Sequence, residues 1–309
     1  MIRYSVIIPH YGTPELLERS VGSVPEREDI QVIVVDDLSP EGESLPERYP
    51  VLKRPGVVFL RSPRHGGAGA ARNIGLKRAV GEWVLFMDAD DFFVPGAFDV
   101  MDSVSDTDAD IVFFRPRRVM SDHPDQPSAR FAFLDDLYAA YEKGDEVPIR
   151  CDHWIPSSKM IRRSLIEENG IRFEEIPYSN DVLFSSKAGC LARKIQVDPR
   201  EVYCLCERAN SLTDGYCRKP GERVCRLEAL SRAHGLVNQF YRREHIHILT
   251  LMNDLFREDR KAFFRYFAQA GKYGVPRWRY AAKVFSIWGL DRFFSAFPAL
   301  LPIFARTKR

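Results

Sequence analysis

Trp83-Val84-Leu85-Phe86-Met87-Asp88-Ala89-Asp90-Asp91 decides how this chain is read: an apolar strand runs out and three carboxylates arrive at once. Packed this closely, they repel and raise one another's pKa unless a cation or solvent relieves them. Ligands of open α/β sheets bind at the carboxyl ends of strands, where the natural relief is a hard divalent ion held by oxygens. Magnesium or manganese in such a place keeps some waters and takes further ligands from substrate phosphates. The cluster therefore points to a metal-bridged diphosphate. A lone Asp-Asp pair would read as a solvated acidic turn; the strand ahead of this one weighs against that.

Outward from the cluster, strand-like runs at Tyr4–Ile8, Gln31–Val35, Val57–Leu60, Trp83–Met87 and Ile111–Phe114 alternate with helical ones, the pattern of an α/β sheet. Thr13-Pro14-Glu15 supplies an N-cap, a first-turn proline and an early acid, so a helix is expected from about Pro14 to Val24. A second is expected over Ala68 to Val80, with Gly81 as its left-handed cap. Further helices are expected at Phe131–Tyr141, Ser158–Asn169 (stopped by Gly170) and Asp181–Ala192, and strands at Lys194–Val197 and Val202–Cys206. Met120–Ser128 reads as a polar loop, and from Glu222 onward the chain reads as helices.

The 309 residues suffice for one large domain with a helical appendage, and 45% hydrophobic content describes an ordinary globular protein. Net charge is +2, but Lys272 to Arg309 carries eight Lys/Arg against one Asp, leaving the remainder at −5. That balance disfavours nucleic acid as a partner of the whole surface. Met1 leads within three residues into a strand, and no uncharged run approaches the ~20 residues that span a bilayer. A cytoplasmic protein is the expectation. The six cysteines lack a paired CxxC framework; Cys204, Cys206, Cys217 and Cys225 match a zinc site poorly, and reduced thiols are expected.

Asp36-Asp37 closes the second strand, where carboxylates suit a ribose or the edge of a base, although Asp at such junctions often only makes turns. The run Arg64-His65-Gly66-Gly67-Ala68-Gly69-Ala70-Ala71-Arg72-Asn73 is not a dinucleotide fingerprint, because Gly66 comes six positions after Leu60 and Arg72 stands where a third glycine belongs. No GxxxxGK[ST] phosphate cradle exists. What remains is a loop and helix start carrying Arg72, whose fork of donors suits phosphate or carboxylate, or pairs structurally with Asp36 or Asp88. Asp88-Ala89-Asp90 also looks like the nucleophile of haloacid-dehalogenase phosphatases, but those require Thr or Val where Phe92 stands.

Tyr4-Ser5-Val6-Ile7-Ile8-Pro9-His10-Tyr11, Val34-Val35-Asp36-Asp37-Leu38-Ser39, Ala70-Ala71-Arg72-Asn73-Ile74-Gly75 and Gly81-Glu82-Trp83 through Asp91 occur in that order. Together they resemble family 2 glycosyltransferases of the bacterial surface-polysaccharide type, over roughly residues 3 to 215. The resemblance implies an α/β GT-A fold: a Rossmann-like mixed sheet flanked by helices, with a catalytic domain over 1–220 and a helical C-terminal extension over 221–309. It implies an inverting, metal-dependent transfer of a hexosyl or N-acetylhexosaminyl group from a nucleotide-sugar donor, usually a UDP-sugar, to a hydroxyl of a saccharide or lipid-linked saccharide.

Carried over by position, Pro9 and Tyr11 would lie along the base and Asp37 would bond it. Asp88 would contact the ribose or a metal-bound water, and Asp90 would ligate Mg²⁺ or Mn²⁺. His10 and Gly12 depart from the family's usual residues. In Ile176-Pro177-Tyr178-Ser179-Asn180-Asp181 the resemblance makes Asp181 the general base; as a first-turn acid it would instead serve the helix dipole. Trp154 is a stacking platform for a sugar or a core aromatic, and Arg208 or Ser211 would reach the diphosphate. Met120–Ser128 and Ser211–Pro220 are the expected lids. A sugar nucleotidyltransferase would need a glycine-rich loop directly after the first strand, where Pro9-His10-Tyr11-Gly12 stands, and a silent nucleotide-sugar-binding protein would have no use for Asp88, Asp90 and Asp181 together. The aromatic, cationic tail 272–309 suits either an anionic membrane surface, hence a peripheral place on the inner face, or docking on the domain.

Overall fold

The computed structural model describes residues 1–208, 220–241, 246–276, 280 and 283–284. The chain divides into two compact units, Met1–Tyr216 and Cys217–Arg309. The first opens with β1 (Tyr4–His10), α1 (Pro14–Gly22), β2 (Ile30–Asp36), α2 (Leu45–Arg48), β3 (Val57–Arg61), α3 (Gly67–Leu76) and β4 (Trp83–Phe86). It continues through β5 (Phe92–Phe93), α4 (Ala97–Asp102), β6 (Ile111–Met120), α5 (Phe133–Glu142) and α6 (Val147–Asp152). Last come β7 (Lys159–Arg162), α7 (Arg163–Glu168), α8 (Val182–Leu191) and β8 (Ile195–Glu207).

These strands form one mixed eight-stranded sheet in the order β3-β2-β1-β4-β7-β6-β8-β5. Ser5–Ile8, Val32–Val35 and Trp83–Phe86 are buried throughout, as parallel strands covered on both faces must be. β1 pairs in parallel with β2 on one side and β4 on the other. Strand order, not chain direction, thus reverses at β1, and the carboxyl ends of β1 and β4 frame the crevice such a switch point opens.

Several expected elements differ in the structure, each for a local reason. Residues 158–169 are not one helix: Met160 and Ile161 are fully buried in β7, antiparallel between β4 and β6, and only then does α7 begin. A four-residue strand is too short to show its period. Helix α3 stops at Leu76 rather than Val80, because the N–H groups of Val80 and Gly81 donate to Ser5 Oγ (3.2 and 2.8 Å) instead of to the helix. Gly81 is not a left-handed cap; a Cβ there would meet the Ser5 backbone nitrogen at 2.6 Å, so close approach to β1 is what excludes a side chain. Gly170, at φ +55°, does end α7 in the left-handed region.

Helix α1 ends at Gly22 instead of Val24, and Thr13 makes no side-chain cap. β6 runs on through Pro116 to Met120, since that proline sits beside register shifts against β8, where a missing N–H costs no ladder bond. The two strands expected at 194–206 are one long β8. Residues after Met120 form a turn, closed by the Ser128 N–H donating to the Arg118 carbonyl at 3.0 Å.

The second unit holds α9 (Pro220–Val237), α10 (Ile246–Glu258) and α11 (Arg260–Ala270). Leu227, Met252 and Phe263 are buried within it, and Ser231 Oγ and Tyr266 Oη lie 2.6 Å apart. Among the described residues no helix is long and apolar enough to cross a membrane. Ser211, Cys217, the expected lid before Pro220 and most of the basic tail lie outside the described residues.

Candidate active site

Four chain segments converge on the crevice, and most of the residues singled out from sequence sit on them. At the β1–β2 rim, His10 is an interior latch rather than a ligand-facing group. Its Nδ1 lies 3.0 Å from Asp36 Oδ1 while Nε2 accepts the Thr13 N–H at 3.2 Å, which puts a proton on Nδ1. Burial pushes the Asp36 carboxyl up, but hydrogen bonds from His10 and Ser39 outweigh it and hold the group below the usual carboxylate range. Pro9 is buried in β1. Tyr11 is 52% exposed and its ring lies 4.6 Å from that of His65. Asp37 accepts the N–H groups of Gly66 and Gly67 at 2.9 and 2.7 Å, and His65 Nδ1 lies 2.9 Å from its carbonyl. Asp37 therefore holds the glycine loop against the rim that Tyr11 and His65 present.

At the end of β4, the carboxylates of Asp88, Asp90 and Asp91 each bring an oxygen within 4.8 Å of the others, the one such group among the described residues. They are not equivalent. Asp91 is buried, taking hydrogen bonds from the Tyr203 hydroxyl (2.8 Å) and the Cys206 N–H (2.8 Å). Burial first, then the charges of Asp90 and Asp88, push its carboxyl well above the usual range. Tyr203 Oη also accepts the Asp88 N–H at 3.0 Å, so one hydroxyl ties both ends of the acidic turn to β8. Asp88 and Asp90 are half-buried and face cations: Arg72 Nη2 lies 2.6 Å from Asp88 Oδ1, and Arg208 Nε 2.9 Å from Asp90 Oδ2. Two guanidinium groups drawn onto two clustered carboxylates show a site that favours positive charge, and its all-oxygen donor set suits magnesium or manganese.

Arg72 also reaches across to the second half of the chain. Its Nη1 donates to Asn180 Oδ1 at 2.9 Å and its guanidinium lies 5.2 Å from the Phe173 ring centre. Beside it, Asn73 brackets Phe173, donating to its carbonyl (3.0 Å) and accepting its N–H (2.9 Å). Gly69 packs so tightly that a Cβ would stand 2.2 Å from the Glu174 carbonyl oxygen. Helix α3 thereby fixes segment 173–180 against the crevice and sets Asp181 at the start of α8. The Asp181 side chain makes no capping hydrogen bond to that helix. Burial raises its pKa, with Asp88 adding, while Arg72 and Lys159 oppose. A carboxyl tuned upward in this way suits a base working near neutral pH.

Four further residues shape this site without standing out in the sequence. Lys159, inside a segment already singled out, is buried and donates from Nζ to the His153 carbonyl at 2.8 Å. Burial pulls it down to about 7, against the pull of Asp181. Arg19 Nη2 donates to the Asp90 carbonyl (2.5 Å) and Nη1 to the Ser121 carbonyl (3.0 Å), tying α1 to the acidic turn. Asn73 and Tyr203 stood in quoted runs without a role. Only a tertiary partner reveals these four, and none has a local signature.

The sequence matches the family described as Glycosyl transferase family 2 over residues 5–170. The chain belongs to glycosyl transferase family 2. It is 28% identical over 213 residues to the poly(ribitol-phosphate) beta-N-acetylglucosaminyltransferase TarS of Staphylococcus aureus, covering 66% of this chain and 35% of that protein. This family member thus spans about a third of that relative's length. A crystal structure of S. aureus TarS 1-349 in complex with UDP-GlcNAc superposes with a TM-score of 0.62 at 20% identity, covering 87% of this chain and 81% of the other. The mannosyltransferase PcManGT from Pyrobaculum calidifontis, in complex with GDP-Man and Mn2+, gives 0.53 at 18% identity over 97% and 84%. The fold is accordingly GT-A, and the family match includes the acidic turn but ends before Asp181.

Proposed function

We propose that the unit Met1–Tyr216 transfers a sugar from a nucleotide-sugar donor to a hydroxyl of a glycan or lipid-linked saccharide, with inversion. The observation that carries this is the Arg72 bridge, which sets Asp88 of the acidic turn and Asn180, the neighbour of Asp181, on one guanidinium (2.6 and 2.9 Å). A UDP-sugar is the favoured donor, supported by the UDP-GlcNAc complex of the TarS structure. The Tyr11–His65 rim would receive the base, and Asp90 with Asp88 would hold Mg²⁺ or Mn²⁺ against the diphosphate. A divalent ion bound there would offset the charge of the departing nucleotide.

The chain's own residues supply the rest. Arg208 and Arg72 must yield part of their hold on Asp90 and Asp88 when the donor enters, and both guanidinium forks then suit phosphate oxygens. Asp181 takes the proton of the acceptor hydroxyl as it attacks the anomeric carbon opposite the leaving diphosphate. The alternatives fare less well on the structure. A sugar nucleotidyltransferase would need a glycine-rich loop directly after β1, where His10 is instead locked to Asp36. A binding protein without catalysis would have no need of a raised, uncapped carboxylate at Asp181.

A full-length protein assayed for UDP release from UDP-GlcNAc, with and without Mn²⁺, tests the reading. The account expects release that chelation suppresses and that Asp181→Asn abolishes while UDP still binds. Undiminished turnover in Asp181→Asn would remove the assigned base.

A further inference from the structure

Among the described residues, the non-glycine positions with positive φ are Leu38 (+63°), Phe131 (+59°), Ser158 (+58°) and Ser179 (+56°). Such backbone costs energy and collects at functional sites. Leu38 directly follows Asp37, Ser158 adjoins Lys159, and Ser179 stands two residues before Asp181. Phe131 has no part in the site described so far. It begins a file of half-buried aromatic rings: Phe131 to Phe133 at 6.3 Å between centres, then Phe133 to Trp154 at 6.3 Å with planes tilted by 41°.

Both ends of the file are tied to the crevice. At one, Arg130 lies 4.7 Å from the Phe131 ring centre and donates to the Cys206 carbonyl at 3.0 Å, while the N–H of Cys206 holds Asp91. At the other, the Trp154 carbonyl accepts Ser185 Oγ at 2.7 Å, one helical turn beyond Asp181. The indole is fixed by Nε1 donating to the Cys151 carbonyl at 2.9 Å. Rigid aromatic faces, on a segment bonded to the helix that Asp181 opens, are what a sugar ring, with apolar C–H faces, stacks upon.

We infer that Phe131, Phe133 and Trp154 form the acceptor platform, and that its ligand is a pyranose saccharide bound ring against ring. This rests on the transferase reading with Asp181 as base. Around the rings, Asp135 and Asp136 on the first turn of α5 offset Arg118, which pairs with Asp135 at 2.7 Å, and Arg130, so no net cationic charge draws a polyanionic acceptor there.

The full chain, saturated with UDP and diamagnetic Mg²⁺, is titrated with chitotetraose and separately with ribitol 5-phosphate, followed by saturation-transfer NMR. The expected result is saturation of the sugar ring C–H protons, and about tenfold weaker tetrasaccharide binding in both Phe133→Leu and Trp154→Leu. UDP affinity is unchanged in both, which also shows that they fold, and Trp154→Phe, which keeps an aromatic face but not the Nε1 bond to Cys151, binds the saccharide more tightly than Trp154→Leu. Equal saccharide binding by the leucine variants would overturn the platform. So would a chain that binds UDP but is saturated only by the open-chain polyol phosphate. A wild-type chain that fails to bind UDP would sink the transferase reading itself, and the platform with it.

Discussion

Gly69→Ala should separate positioning of the base from binding of the nucleotide. The added methyl carbon would stand 2.2 Å from the Glu174 carbonyl oxygen and 3.1 Å from Asn180 Cβ, so helix and segment must part by about 1 Å to restore ordinary contact. The Arg72–Asn180 bond, now 2.9 Å, spans the same gap and would stretch with it. Asp181 follows Asn180 directly and moves away from the end of β4. A misplacement of about 1 Å costs on the order of 10²-fold in turnover, roughly 2.7 kcal/mol of barrier. Helix propensity acts the other way, since alanine is favoured over glycine by about 1 kcal/mol in a helix. Loss therefore comes from the clash. The assay is the initial rate of UDP release alongside calorimetric UDP affinity, with Gly22→Ala, whose Cβ meets nothing within 4 Å, as the control. Full turnover in Gly69→Ala at unchanged UDP affinity would refute the idea that α3 sets the base.

Asp181→Asn should abolish transfer yet raise the melting temperature at neutral pH. A folded-state pKa above the unfolded value means a stability contribution complete at low pH and lost as pH rises through the folded value, so the charged carboxylate is a burden that asparagine lifts. The profile of kcat/KM against pH should fall on the acid side at a pH above the usual ~4 of a carboxyl. Lys159→Met, by removing a charge that holds Asp181 down, should move that limb higher still; a limb that stays put would deny the coupling. Tyr203→Phe strips a hydrogen bond from both Asp88 N–H and Asp91. It should cost about 1–3 kcal/mol in urea denaturation, and a change within error would show that the acidic turn is held elsewhere.

The sequence showed the crevice more readily than its supports. β1, β2 and β4 are apolar runs ending in polar residues, a signal that is local, and their order already implied where Asp37 and Asp88 would emerge. β7 was not legible, because Lys159–Arg162 is too short for a period and has its reason for being extended only in the neighbours β4 and β6. The end of α3 is hidden in the sequence for a similar cause: Ser5, some seventy residues earlier, takes the N–H groups that a helix would have used. At the site, carboxylates announce themselves by type and spacing, whereas Arg19, Asn73 and Tyr203 act through backbone atoms distant in sequence. Asp37 was legible as a strand-end acid, but its hold on Gly66 and Gly67 required the loop to be folded back.

A crystal of the full chain soaked with UDP-GlcNAc and MnCl₂, recorded at the manganese absorption edge, tests the central claim most directly. The account expects one anomalous peak about 2.1 Å from an Asp90 carboxylate oxygen, touching the diphosphate, with the Asp181 carboxylate on the opposite side of the anomeric carbon. A manganese peak away from Asp88 and Asp90, or an Asp181 carboxylate turned from the sugar, would contradict it.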